Sequence, residues 1–180
     1  YFDCQIGDNE SKLLADLVWS FKNPKWNVLA SVYLFDLKRW QKATALGWKS
    51  IVARNFTRKA LFPREISYDW VIGICPSVSC LAEVMETAWN LCGNESVIIV
   101  LGLNMDVVPL LANCYEDDAE TWEKNELLWV AHCPFVFSRG HDGLTFRIFT
   151  RSLQKIEINE TVKSYFKSQG IDILFPTKPL

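Results

Sequence analysis

Six cysteines, two histidines and three Asn-X-Ser/Thr triplets are the residues of this 180-residue chain whose chemistry depends on where the fold sets them. The cysteines, Cys4, Cys75, Cys80, Cys92, Cys114 and Cys133, are even in number and lack the paired C-x-x-C spacing of a zinc ribbon. Disulfides account for them more simply than a metal site does. The triplets Asn55-Phe-Thr, Asn94-Glu-Ser and Asn159-Glu-Thr are acceptors for N-linked glycan. Cysteines and sequons together indicate a secreted or extracellular setting; the alternative is a cytosolic protein with buried free thiols. All three sequons are expected on exposed loops or element ends, with Asn55 following a strand and Asn94 following a helix.

The remaining candidates carry little chemistry. His141-Asp142 falls in the turn Ser138-Arg-Gly-His-Asp-Gly, which suits a solvated turn better than a catalytic dyad. His132 precedes Cys133 in an expected strand, so one of the two faces the core; a Cys–His nucleophile needs its members adjacent across elements. No G-x-G-x-x-G or G-x-x-x-x-G-K-[ST] occurs, and Gly102-Leu-Asn-Met-Asp is a poor phosphate cradle. The expectation is a chain that is not an enzyme and has no catalytic, cofactor or metal site.

Hydrophobic residues make up 49% and charged residues 22%, enough for a real core in one domain. A net charge of −2 argues against nucleic acid as the main partner. Charge is segregated: ten Lys or Arg and one acid lie between Lys22 and Arg64, seven acids and one base between Asp106 and Glu126. Two solvated faces of opposite sign are the preferred reading, and a head-to-tail contact between copies or related subunits is the alternative. No stretch has the apolar length to span a bilayer and no signal peptide is seen, as in a mature or excised piece.

The elements that must position these residues centre on a βαβ pattern. Tyr68 to Pro76 holds an apolar run of strand length, and Val97 to Leu101 is a second run without alternation, as in a strand covered on both faces. Between them Val78, Leu81, Val84, Met85, Ala88 and Leu91 form a helical stripe, capped by Ser77 or Ser79 and closed by Gly93. Two parallel neighbouring strands joined by a right-handed crossover are predicted. Before them come a helix over Asp8 to Phe21, a strand from Trp26 to Phe35, a short helix from Leu37 to Leu46 and a strand from Ser50 to Arg54. A basic connection then runs from Asn55 to Glu65. After them come a helix from Val107 to Tyr115, an antiparallel pair over Leu127 to Phe137 and Leu144 to Phe149, and a final helical segment from Thr161 to Gln169. The fold class expected is α/β, a single three-layer lobe with a mostly parallel sheet and an antiparallel hairpin at one edge.

That order of elements resembles the extracellular amino-terminal domain of an arthropod chemosensory ionotropic receptor, a divergent branch of the ionotropic glutamate receptors. The resemblance lies in Asp69-Trp-Val-Ile-Gly-Ile-Cys-Pro-Ser-Val-Ser-Cys-Leu, in the hairpin strand Leu144-Thr-Phe-Arg-Ile-Phe-Thr-Arg and in Ile173-Leu-Phe-Pro-Thr-Lys-Pro-Leu. The last is similar to the linker by which such receptors enter their ligand-binding domain. It implies a domain over residues 1–172, a linker over 173–180, related receptor subunits as partners, and membrane contact only through downstream segments. Folding, trafficking and subunit pairing would be its tasks, on the extracellular face of the plasma membrane. At this length the two-lobed cleft of the glutamate receptors proper is not expected. The competing classes are a secreted enzyme or small-ligand binder, and a surface glycoprotein that binds a partner.

Geometry along the chain bears on the cysteines. Cys75 ends a strand and Cys80 begins the next helix, so a local bridge is sterically possible. Cys92 lies roughly 18 Å from Cys80 along the helix and must look to Cys114, Cys133 or Cys4. Cys114 is the preferred partner, leaving Cys4 for Cys133 or for a neighbouring chain.

Overall fold

The least polar stretches form the middle of a sheet. The computed structural model describes residues 2–3, 10–34, 37–59, 65–92, 97–114, 129–139, 145–151 and 155–171. Strands are Phe2–Asp3 (β1), Val28–Leu34 (β2), Lys49–Lys59 (β3), Glu65–Ile74 (β4), Ile98–Leu101 (β5), Phe135–Arg139 (β6) and Thr145–Thr150 (β7). Helices are Glu10–Ser20 (α1), Gln41–Ala45 (α2), Val78–Cys92 (α3), Val108–Cys114 (α4) and Lys155–Ser168 (α5), with 3-10 turns at Leu37–Trp40 and Met105–Val107.

The strands lie in the order β1-β7-β6-β5-β2-β4-β3, and every neighbouring pair is antiparallel. This overturns the mostly parallel sheet. β4 and β5 do run in one direction, as a connection through α3 suggests, but β2 is inserted between them and pairs antiparallel with both. An apolar run records that a strand is covered on both faces; it does not record which strand lies beside it. β6 and β7 form the expected hairpin, with β1 beyond it.

Two bodies of core flank the sheet. On one face α1, α3 and α5 bring Leu14, Leu17, Leu81, Val84, Met85, Val162 and Phe166 against Ala30, Val32, Val71, Ile99, Phe135 and Phe137. On the other, α4 brings Val108, Leu111 and Ala112 against Leu29, Trp70, Ile72, Ile98 and Val100, joined by Trp129. Burial of this apolar surface is the main favourable term in the fold. Trp70 is 1% exposed, and its indole N–H donates to Ser31 Oγ at 2.7 Å, so the buried donor is satisfied.

Three local expectations are corrected. β3 does not stop at Arg54 but runs to Lys59, pairing with β4 through most of the supposed basic connection. Its residues alternate, with Val52, Arg54 and Phe56 half-buried and Ala53, Asn55 and Thr57 exposed. Polar residues at alternate positions are ordinary for an edge strand with one wet face. Residues 129–132 are helical where a strand was expected, and β6 begins at Phe135. The last helix starts at Lys155 rather than near Thr161.

Candidate functional site

The most chemically loaded part of the described molecule is the junction where β4 leaves the sheet and α3 begins. β4 ends at Ile74, and the Cys75 N–H donates to Val28 O at 2.9 Å, so the main-chain pairing with β2 carries on through this cysteine. Ser77 caps α3, its Oγ accepting from the Cys80 N–H at 3.2 Å. The chain between them is therefore held at both ends. Cys75 and Cys80 are both buried in one core cluster, as free thiols. Cys80 Sγ also lies 3.8 Å from Ala43 O of α2 and can donate to it while protonated.

The two thiols differ in acidity. Cys75 is held well above the usual thiol range, first by its hydrogen bond to Cys80, then by burial and the charge that Cys80 acquires on ionising. Cys80 is lowered, chiefly because Cys75 donates to it; burial and the charge of Glu83 oppose that shift. Cys80 is also the third residue of α3, where unpaired helix amides favour an anion.

The core beside these cysteines is aromatic. Gly47 closes α2 at φ 95°, and the Trp48 N–H returns to Ala43 O at 2.9 Å. That turn lays the Trp48 indole across Gly73 of β4: a Cβ on Gly73 would sit 2.4 Å from Nε1 of the ring. Only glycine admits the indole there. Trp40 and Trp48 pack in a tilted arrangement with centroids 5.2 Å apart, and both buried indole N–H groups have no acceptor.

On the outer side of α1 and α3 lies an open groove of about 380 Å³. Its walls carry the carboxylates of Asp16, Glu83 and Glu86 against the single ammonium of Lys12. Ser11 Oγ donates to Glu86 Oε2 at 2.5 Å and ties the two helices together across its floor. This feature had no signal in the sequence, because its residues come from two helices whose contact is tertiary.

The other predicted residues are dispersed. Asn55 lies inside β3 rather than after a strand, yet its side chain is exposed; its Nδ2 donates to Asp69 Oδ1 at 2.8 Å, and its Oδ1 accepts from Ser67 Oγ at 3.2 Å. Asn159 is half-buried inside α5, not on a loop. His132 is exposed and Cys133 is buried, so the expected division of that dipeptide holds, on a helical turn rather than a strand. Cys133 is a free thiol packed in the second core, pushed up to about 12 by burial, so the structure shows no bridge from it to Cys4 or Cys92. Cys92 and Cys114 end α3 and α4, whose cores lie on opposite faces of the sheet. Their sulfurs, with Cys4, Asn94, His141 and the 173–180 linker, lie outside the described residues.

Among the described residues no group of three or more His, Cys, Asp or Glu could hold a metal ion, and no helix is long and apolar enough to cross a membrane. No protein-family model, no curated protein and no solved structure matches the chain.

Proposed function

We propose that this chain is an extracellular amino-terminal domain of a chemosensory ligand-gated cation channel, serving folding, trafficking and pairing with related subunits. The reading begins from the motif resemblance. Its antiparallel sheet departs from the lobe that the resemblance led us to expect, so the fold lends it no support. The observation that carries the extracellular part is Asn55. Its amide stands on the exposed face of an edge strand, within the triplet Asn55-Phe56-Thr57, where a bulky glycan meets solvent rather than core. The same strand offers an outer edge and the half-exposed Ile51 (37%) to a neighbouring subunit.

The test is expression, in a eukaryotic secretory host, of the longer polypeptide that would carry this domain, together with a candidate partner subunit. Glycan at Asn55, removed by Asn55→Gln, and loss of surface assembly on deleting residues 1–171 are expected. A chain unmodified at Asn55, or assembly undiminished by the deletion, overturns the reading.

A further inference from the structure

We infer that the groove between α1 and α3, together with the end of α2 beside it, is the surface on which two copies of this chain join as a symmetric dimer. The groove is open because the side chains between the two helices are small: Ser11 on α1, Ser79 and Ala82 on α3. Ser79, Glu83 and Glu86 are spaced by four and three, so they share one stripe of α3, while Asp16 stands on α1 across from it. Ser11 donates to Glu86 at 2.5 Å, which braces the two helices and leaves Glu83 and Asp16 as the carboxylates offered to a partner.

Leu46 borders the groove from α2 and is 43% exposed. A single exposed leucine needs no explanation, but its neighbours give this one a use. The Leu46 N–H donates to Lys42 O at 3.0 Å, so Lys42 stands one helical turn before it, exposed and outside the groove. The surface therefore carries a base, a leucine and then carboxylates. A two-fold axis beside Leu46 makes that order complementary to itself. The two Leu46 side chains pack together over the half-buried Val78 and Ala82, and Lys42 of each copy faces Glu83 and Asp16 of the other. A partner that was merely basic would be repelled by Lys12 on the rim and by Lys42, whereas a second copy brings one base and one leucine at the spacing required. α2 belongs to the basic stretch between Lys22 and Arg64, and the acids that answer it come from α1 and α3 rather than from residues 106–126. The surface is separate from the β3 edge, and the inference stands whether or not the chain is a receptor domain.

The experiment is sedimentation velocity on the purified 180-residue chain from about 1 μM to about 1 mM, a range that reaches weak interfaces of small area. A monomer–dimer equilibrium that stops at two copies and weakens as salt rises is expected. Leu46→Ser should abolish the dimer over this range. Lys42→Glu and Glu83→Lys should each weaken it by roughly tenfold, because the symmetry reverses two charge pairs at once. Mixed in equal amounts, those two variants should recover the association as a heterodimer, since both pairs across the axis are then of opposite sign. Loss of folding cannot produce that recovery. As a measurement free of substitutions, carbodiimide cross-linking of isotopically labelled with unlabelled wild-type chain should join Lys42 of one copy to Glu83 or Asp16 of the other. A wild-type chain that stays monomeric, grows past two copies, or cross-links between copies only elsewhere overturns the inference. So does an association indifferent to all three substitutions, or folded charge variants whose mixture stays monomeric.

Discussion

Two buried tryptophans show how little a residue's type says about its cost. Trp70 and Trp48 both lie in the core, at 1% and 7% exposure, but Trp70 has Ser31 as acceptor and Trp48 has none. An unsatisfied buried donor costs about 1–3 kcal/mol, whereas removing one member of a buried hydrogen bond strands the other. Trp70→Phe loses ring volume and leaves the Ser31 hydroxyl unpaired; Trp48→Phe loses similar volume but also removes an orphaned N–H. We therefore expect Trp70→Phe to be the more destabilising by about 1–2 kcal/mol in urea titrations. Equal losses would mean that the Trp48 N–H is satisfied in solution. The abundance of tryptophan pointed to core residues in advance. Which indole would find an acceptor depends on Ser31 facing the same side of β2 as Trp70 does of β4, and that is a register fact.

At the scale of elements, the well-anticipated ones carry two concordant signals. α3 has a one-sided stripe and a serine cap, and it forms where expected, with Ser77 rather than Ser79 at its start. The proximity of Cys75 and Cys80 was legible for the same reason, since the strand end and the helix start sit a few residues apart. The continuation of β3 past Arg54 was not, because charged and amide side chains imitate a loop until something accepts them. Arg54 shows what does: its Nη1 donates to Ala112 O at 2.6 Å near the end of α4, while its guanidinium lies 5.1 Å from the Phe56 ring centroid. A long basic side chain can thus cover apolar surface and cap a helix end together. Arg54→Ala should free the end of α4, costing about 1.5–3 kcal/mol, the range for a hydrogen bond from a charged donor. Hydrogen exchange would detect it as faster exchange in α4 with β5 unchanged; uniform acceleration of both would point to global loosening instead.

Across the whole molecule, the first and last helices are joined by one phenol. The Tyr165 hydroxyl donates to Leu13 O at 2.9 Å, linking α5 to α1 across nearly the full length of the chain. Burial, with a smaller contribution from the charge of Asp16, pushes that phenol up to about 12. In the unfolded chain a tyrosine ionises near pH 10, so the unfolded state loses its proton first. The stabilising contribution is complete below about pH 10 and disappears as pH rises toward about 12. Tyr165→Phe is expected to cost about 1 kcal/mol at neutral pH. It should also flatten the fall in denaturation midpoint between about pH 10 and 12; an unchanged alkaline slope would assign that fall to other groups.

The placement of β2 sets an order of events for a chain leaving the ribosome. This strand is synthesised before both of its partners, β4 from Glu65 and β5 from Ile98. Until β4 emerges, β2 has neither edge satisfied; until β5 emerges, it keeps one edge bare and apolar. Meanwhile β3 and β4, close in sequence, can zip into their ten-pair hairpin without waiting for anything else. A nascent chain stalled before Val97 would thus present a half-built sheet whose open side is its most hydrophobic strand, the kind of surface that molecular chaperones bind and that truncated products use to aggregate.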